Sequence, residues 1–578
     1  MNLSSILTIL VALGLLVVIL ALVRSYLQWR PAPVRPDGEG NQINPRLASD
    51  FGPTVTSRRL VHVAIVFTLL FITALGFHLY WALFAVGPLR SDKAYATLRY
   101  REDNRRRREA ETTLRGWIFD RHHDTSRTLA RYRYDNGRLI RDYQLGEGAF
   151  HLVGYSNVSY EDASLEKAII MSFDREGEGS LTGRLEALVR EPNLPLVGLD
   201  LVTTIDFELQ REAYELIRKY HGAVIVINPQ NGQLLALASS PAIDPALPLK
   251  SWSAQFEDPI NRPSHNRATH ARYSPGSTFK TLVAAAAIES NLDRQVFTCR
   301  SGGWVPPGAS RPIRDDDGEE HGQVDLTEAF THSCNQYFAQ MGVLLERQRL
   351  GEAASRFGFE LFAEPRPSIA AVIADQFWNV GNPAISSVLA PLRSSFVSGQ
   401  KVARVDLALE SIGQGFVQAT PLQMALVAAG VANLNGQIMQ PAIELDRRPV
   451  VMSQPMSAGT AARVRQLMAQ VVRRGTASKT ILPVLGQVSA GGKTGTAQRE
   501  VAVLDPRTGK PLKYTDKDGK DRPRLEKLVD SWFIGFAPVE NPQIAFAVFV
   551  ENGGYGSTTA APIAGRIIQR ARQTGLIQ

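Results

Sequence analysis

The chain has 578 residues, 44% hydrophobic and 21% charged, which is ordinary globular usage and excludes a disordered, collagen-like or low-complexity protein. Lys plus Arg (64) exceeds Asp plus Glu (56) by 8, and seven of those charges fall in the first 130 residues: +3 between Arg24 and Arg59 and +4 between Gly87 and Ala130. The large C-terminal part is nearly neutral, so it is no basic nucleic-acid platform, and no nucleic-acid partner is expected.

Residues 2–23 carry no charged side chain, and 60–86 carry none beyond the possible charge of His62 and His78. Each stretch is long enough to cross a hydrocarbon core of about 30 Å. The first lacks the basic start and small-residue cleavage site of a signal peptide, so both are expected to be retained transmembrane helices. The loop 24–59 carries Arg30, Arg35, Arg46 and Arg58. The positive-inside rule places it in the cytoplasm and everything after the second span outside. Residues 87–198 are expected to form a charged stalk and a small β-rich pedestal module, in which TLARYRYD and RLIRDYQL flank Asn136-Gly137 as a hairpin.

From 199 to 578 the pattern is stronger. Two apolar runs surround Pro229-Gln230-Asn231-Gly232, a second pair (DSWFIGFAPV and IAFAVFVEN) closes the chain, and Ala/Leu-rich helical stretches lie between them. Strands at both ends with helices in the middle predict an α+β domain, one antiparallel sheet packed by helices. The charged stretch 505–530 is expected to be a long solvated loop. Cys299 and Cys334 read as two buried small hydrophobes rather than a disulfide scaffold. No CxxC, HExxH or His/Cys cluster at ligand spacing occurs, so no metal and no cofactor are expected.

Three short motifs can carry chemistry. Ser277 and Lys280 form SxxK at the start of an apolar helix, where positions i and i+3 share a face and a buried lysine of lowered pKa can activate a hydroxyl. Ser333-Cys334-Asn335 sits between two helical runs, where Ser333 could relay a proton and Asn335 hold an amide, unless one of them is simply a helix cap. Lys493-Thr494-Gly495-Thr496 precedes the last hairpin and so falls on a strand, suited to capture of a carboxylate. Gln487 stands where a phosphate-binding P-loop would need its first glycine, which excludes a nucleotide site.

The order SxxK, SxN, KTG is that of penicillin-binding proteins. From Thr203 onward the chain resembles the transpeptidase domain of class B penicillin-binding proteins, through GAVIVINPQNGQLLALASSP, NRATHARYSPGSTFK, HGQVDLTEAFTHSCNQYF, SIGQGFVQATPLQMAL, GGKTGTAQ and SWFIGFAPVENPQIAFAVFVEN. RGWIFDRHHD at Arg115–Asp124 resembles the segment that opens the family's pedestal. The resemblance implies a penicillin-binding/β-lactamase-like fold and a peptidoglycan D,D-transpeptidase. Ser277 would then be the nucleophile toward a D-Ala-D-Ala stem peptide, Lys280 the base, and Ser333 and Asn335 the relay and clamp. Lys493, Thr494, Gly495 and Thr496 would bind the terminal carboxylate, with the N–H groups of Ser277 and Thr496 as the oxyanion hole. It further implies β-lactams as covalent inhibitors, a site outside the bacterial cytoplasmic membrane, and a separate membrane-embedded glycan polymerase as partner. A D,D-carboxypeptidase or a β-lactam-sensing receptor on the same fold is the alternative, the latter lacking its usual metalloprotease motif here.

Overall fold

The structure is a computed structural model that describes residues 68–76, 113–155, 196–197, 200–247, 249–362, 394–397, 403–503, 505, 510–515, 517 and 519–578. Two units are distinct, 1–100 and 101–578. In the first, 68–76 form a helix within the second expected span. No helix among the described residues is long and apolar enough to cross a membrane. The first span, the loop 24–59, the rest of the second span and the stalk up to residue 112 lie outside the described residues.

The second unit opens with a small sheet made of β1 (Ile118–Phe119), β2 (Thr128–Asp135), β3 (Arg138–Asp142) and β4 (Leu201–Val202), in the order β3-β2-β1-β4. The β2–β3 hairpin turns on Asn136 (φ 48°) and Gly137 (φ 78°). Two left-handed residues in a two-residue loop match the right-handed twist of the strands, which is why Asn-Gly announced it. β1 and β4 are parallel, and Trp117 N–H donates to Asp200 Oδ1 at 2.7 Å, so this sheet spans the expected boundary at 198/199.

Beyond α1 (Phe207–Ile217) the main sheet starts with β5 (Gly222–Ile227) and β6 (Leu234–Ser240), joined through the expected turn with Gly232 at φ 80°. The helical middle comprises α2 (Lys280–Glu289), α3 (Leu326–Thr331), α4 (Asn335–Arg356), α5 (Arg404–Glu410), α6 (Pro421–Ala432) and α7 (Ala458–Arg473). Then come β7 (Gly491–Ala502), β8 (Leu525–Ala537), β9 (Ile544–Val550) and the closing α8 (Ala560–Gln573). The order is β7-β8-β9-β5-β6, antiparallel throughout. Every residue of β5, β6 and β9 is buried. Both faces are therefore covered, by α6 against β5, β8 and β9, by α8 against β8 and β9, and by α1 against β6. All twelve residues of α6 are buried, and a helix apolar all round can only be an interior one. The α+β expectation holds.

One expectation fails locally. Within 505–530, where a loop was expected, strands Lys513–Thr515 and Asp521–Pro523 pair, and Arg499–Ala502 pair with Leu525–Leu528 beyond the body of the sheet. The result is an exposed β-arm. Strands that are wet on both faces need no apolar alternation, so charge-rich sequence concealed them.

Candidate active site

Ser277 lies in a 3-10 turn, Gly276–Phe279, which runs directly into α2. Pro275 precedes the turn and fixes its φ, and Thr278 Oγ1 closes it by donating to Pro275 O at 2.6 Å. The turn abuts β7: a Cβ at Gly495 would lie 2.8 Å from Thr278 Cγ2 and 3.0 Å from Pro275 O. From the other side Gly276 N–H donates to Gly413 O at 2.9 Å. Gly413 has φ 74°, and a Cβ there would stand 1.9 Å from Gly276 O. The turn that bears Ser277 is thus held between the backbones of Gly495 and Gly413.

Lys280, the first residue of α2, is fully buried. Its ammonium donates to Ser333 O (2.6 Å), Asn335 Oδ1 (2.7 Å) and Ser333 Oγ (3.3 Å). All three of these bonds go to the SxN segment, joining it to the helix that Ser277 leads into. Burial lowers the lysine from its ordinary 10.5 to about 8, against the opposing pull of the nearby Asp315 carboxylate. About a tenth of the amine is then neutral at pH 7, enough to act as a general base.

Ser333 takes φ 60°, a left-handed conformation uncommon outside glycine, between α3 and α4. Neither Ser333 nor Asn335 is the cap of α4. Cys334 takes that place, its Sγ accepting from Tyr337 N at 3.3 Å. The side chains on either side are thereby left to face Lys280. Asp315 fixes this arrangement, accepting from the backbone N–H of Asn335 and from Gln336 Nε2 at 2.8 Å, while Asn335 Nδ2 donates to Arg314 O at 3.0 Å.

Lys493 on β7 is also fully buried, with its amine 3.2 Å from Thr494 O and 5.7 Å from the centre of the Phe330 ring. Burial, and then the charge of Lys280, hold its pKa well below the ordinary value. Thr494 Oγ1 shares a 2.7 Å hydrogen bond with Thr476 Oγ1, and Thr496 Oγ1 accepts from Gly556 N at 3.4 Å. β7 is an edge strand whose one neighbour is β8, with Thr496 opposite Ser531.

Sequence reading missed Asp315, His321, Gly413 and Thr476. It also expected no metal. Cys299 Sγ, Cys334 Sγ and a carboxylate oxygen of Asp315 lie within 4.8 Å of one another and are buried, with His321 Nδ1 3.5 Å from Asp315 Oδ2. Thiol and carboxylate are zinc-type donors, so Cys299, Asp315 and Cys334 could hold such an ion. Three separate segments supply them, which is why no local ligand spacing appeared. The Asp315 carboxylate raises His321 to about 10, and the Cys299 thiol against it, together with burial, pushes the Cys334 thiol up, so Cys334 is no nucleophile at neutral pH.

The profile described as penicillin binding protein transpeptidase domain matches residues 222–569. The chain belongs to this family. Relatives share its sequence at modest identity: PbpA, a peptidoglycan D,D-transpeptidase of Mycolicibacterium smegmatis, is 27% identical over 90% of this chain and 99% of its own. The D,D-transpeptidase MrdA of Haemophilus influenzae is 29% identical over 64% of this chain, a match that spans 56% of the relative. Among solved structures, a ceftriaxone acyl-enzyme of penicillin-binding protein A from Mycobacterium tuberculosis superposes with a TM-score of 0.63 at 26% identity. It covers 80% of this chain and 98% of that one.

Proposed function

We propose that the chain is a membrane-anchored serine D,D-transpeptidase of the peptidoglycan, acting on D-Ala-D-Ala stem peptides outside the cytoplasmic membrane. The observation that carries this reading is the buried amine of Lys280 shared by Ser333 and Asn335, with the turn that bears Ser277 packed against the KTG strand at Gly495. Membership of the family and its acyl-enzyme neighbour support it.

In this mechanism the terminal carboxylate of the stem peptide pairs with Lys493 beside Thr494 and Thr496. Ser277 Oγ attacks the penultimate D-Ala carbonyl, giving its proton to neutral Lys280. The N–H groups of Ser277 and Thr496 receive the oxyanion, a charge that fixed donors in a dry site stabilise strongly. Ser333 Oγ, 3.3 Å from the Lys280 amine, passes the proton to the departing D-Ala. An amine from a second stem peptide then takes the acyl group from Ser277. The spans 2–23 and 60–86 would anchor the enzyme; the apolar sequence of 68–76 and its exposed Leu69, Leu70 and Phe71 suit contact with lipid. The small sheet around β1 would serve as a pedestal, and a separate glycan polymerase would contact it and the spans.

The test uses full-length protein in detergent. Fluorescent penicillin should leave one stable adduct, mapped by digestion and mass to the peptide Tyr273–Lys280. A stem pentapeptide with an amine acceptor should release D-Ala and yield the joined amide. An adduct elsewhere, or D-Ala release with only the hydrolysed acid even at high acceptor, would reject transpeptidation.

Lys493→Met separates function from stability. Loss of a charge-assisted hydrogen bond to the carboxylate should cut acylation efficiency about 10- to 100-fold. Removing a buried, destabilised ammonium should leave the melting temperature unchanged or higher. A melting temperature that falls along with activity would show that Lys493 is structural.

A further inference from the structure

Away from the Lys280 amine, a partly buried polar cluster joins the two segments that bear the proposed oxyanion donors. Glu551 follows β9 and presents its two carboxylate oxygens in different directions. Oε1 accepts from Tyr273 OH at 2.7 Å and from Arg267 Nε at 2.9 Å, both in the segment that leads to Ser277. Oε2 lies 3.5 Å from Arg499 Nη2 on β7, three residues beyond Thr496, and 3.8 Å from His221 Nδ1. Arg499 also donates through Nε to Asp530 Oδ2 at 2.6 Å, and Asp530 Oδ1 accepts from Asn552 N at 2.9 Å. Arg267 is 3% and Asp530 1% exposed, while Glu551 (19%) and Arg499 (28%) are partly buried, so the cluster is more sheltered than a surface ion pair. Tyr273 is pinned further by Phe549, ring centroids 4.0 Å apart, and by Ala419, whose N–H and carbonyl both bond to its backbone.

The geometry points to Glu551 as a positioning residue that, through Tyr273 on one side and Arg499 on the other, sets the spacing between the N–H groups of Ser277 and Thr496. The assignment rests on those two groups forming the oxyanion hole. Tyr273 stands four residues before Ser277, and the turn between them contacts β7 directly at Gly495. A carboxylate that links both segments therefore couples them at a second point, and a shift of even about 1 Å between oxyanion donors can cost as much as about a hundredfold in rate. Glu551 touches neither substrate nor Ser277 in this scheme.

The experiment measures β-lactam acylation of the full-length protein, separating the acylation rate constant from the initial binding constant, for wild type, Glu551→Gln, Tyr273→Phe, their double variant and Arg499→Lys. The control is Glu212→Gln, which removes an ion-pair hub linking α1 to α8 through Arg566 (3.3 Å) and Arg570 (3.1 Å). Glu551→Gln is expected to lower the acylation rate constant about 10- to 100-fold with initial binding changed less than about twofold. The double variant should be no slower than Glu551→Gln alone. Arg499→Lys, which keeps the charge but cannot span both carboxylates, should show a smaller fall of the same kind and covers the case in which Glu551→Gln does not fold. An unchanged acylation constant in these variants, an equal fall in Glu212→Gln, or a loss confined to initial binding overturns the proposal. A wild type that acylates away from Ser277 overturns the reading beneath it as well, and is recognised by peptide mass before any variant is compared.

Discussion

Ser277→Ala should leave no penicilloyl adduct at any β-lactam dose, and Lys280→Met should slow acylation by about a thousandfold. The first removes the oxygen that forms the bond. The second keeps the buried stem but takes away the amine, and with it both proton acceptance and the tether to Ser333 O and Asn335 Oδ1. The pH profile of the wild type separates those two roles. The base must be neutral, and Lys280, held down to about 8 by burial, is mostly protonated below that pH. Acylation should therefore rise about tenfold per unit as pH increases toward 8 and level off above it. Stopped-flow acylation between pH 6 and 9 checks this; a flat profile would mean that the amine is only a tether and that another group takes the proton.

Gly413→Ala is expected to be the most damaging single methyl group near the site. A Cβ there meets the carbonyl oxygen of Gly276 at 1.9 Å, backbone that cannot rotate away, and φ 74° adds strain for any L side chain. Left-handed strain of about 1–2 kcal/mol and overpacking of about 1–3 kcal/mol together suggest a loss of roughly 3 kcal/mol. Because the displaced atoms belong to the turn that bears Ser277, the proposed nucleophile, acylation should fall about a hundredfold even well below the melting temperature. Gly415→Ala is the matched comparison. Its φ is 70°, but the nearest atom to its Cβ would be a Leu409 side-chain carbon at 3.5 Å, so it should carry the strain without moving Ser277. Thermal melts beside acylation rates decide the matter: equal activity losses in the two variants would show that general destabilisation, not the turn, sets the rate.

What could be read in advance was what is encoded locally. The Asn136-Gly137 and Pro229–Gly232 turns need particular backbone conformations that few residues adopt, so their hairpins stood out. Ser277 and Lys280, Ser333 and Asn335, and Lys493 to Thr496 are legible because each motif packs its functional groups into a few consecutive residues. The residues that hold those motifs in place were not legible. Asp315 reaches Asn335 from 20 residues away, and Tyr273 meets Glu551 from 278 away, in segments whose sequence carries no hint of the meeting. The same holds for the thiols of Cys299 and Cys334, brought to 2.7 Å by a fold in which neither is near the other in sequence. The partners of the Lys280 amine were only partly legible: helical spacing fixes which face a side chain leaves from, whereas the fold decides which acceptors, here Ser333 and Asn335, meet its tip.

The complete burial of α6 sets the order in which the molecule opens. No edge of that helix can fray into solvent while β5, β8 and β9 remain against it, so its amide hydrogens should exchange with deuterium only through opening of the whole domain. The strands Lys513–Thr515 and Asp521–Pro523, exposed along their length, should exchange at the fast limit. A deuterium-exchange time course read by mass should show these two extremes, with α2 on the slow side of the cleft and the SxN segment between them. Acylation at Ser277 would then register as slowed exchange around residues 333–335, with no change in α6, whose exchange is already limited by global unfolding.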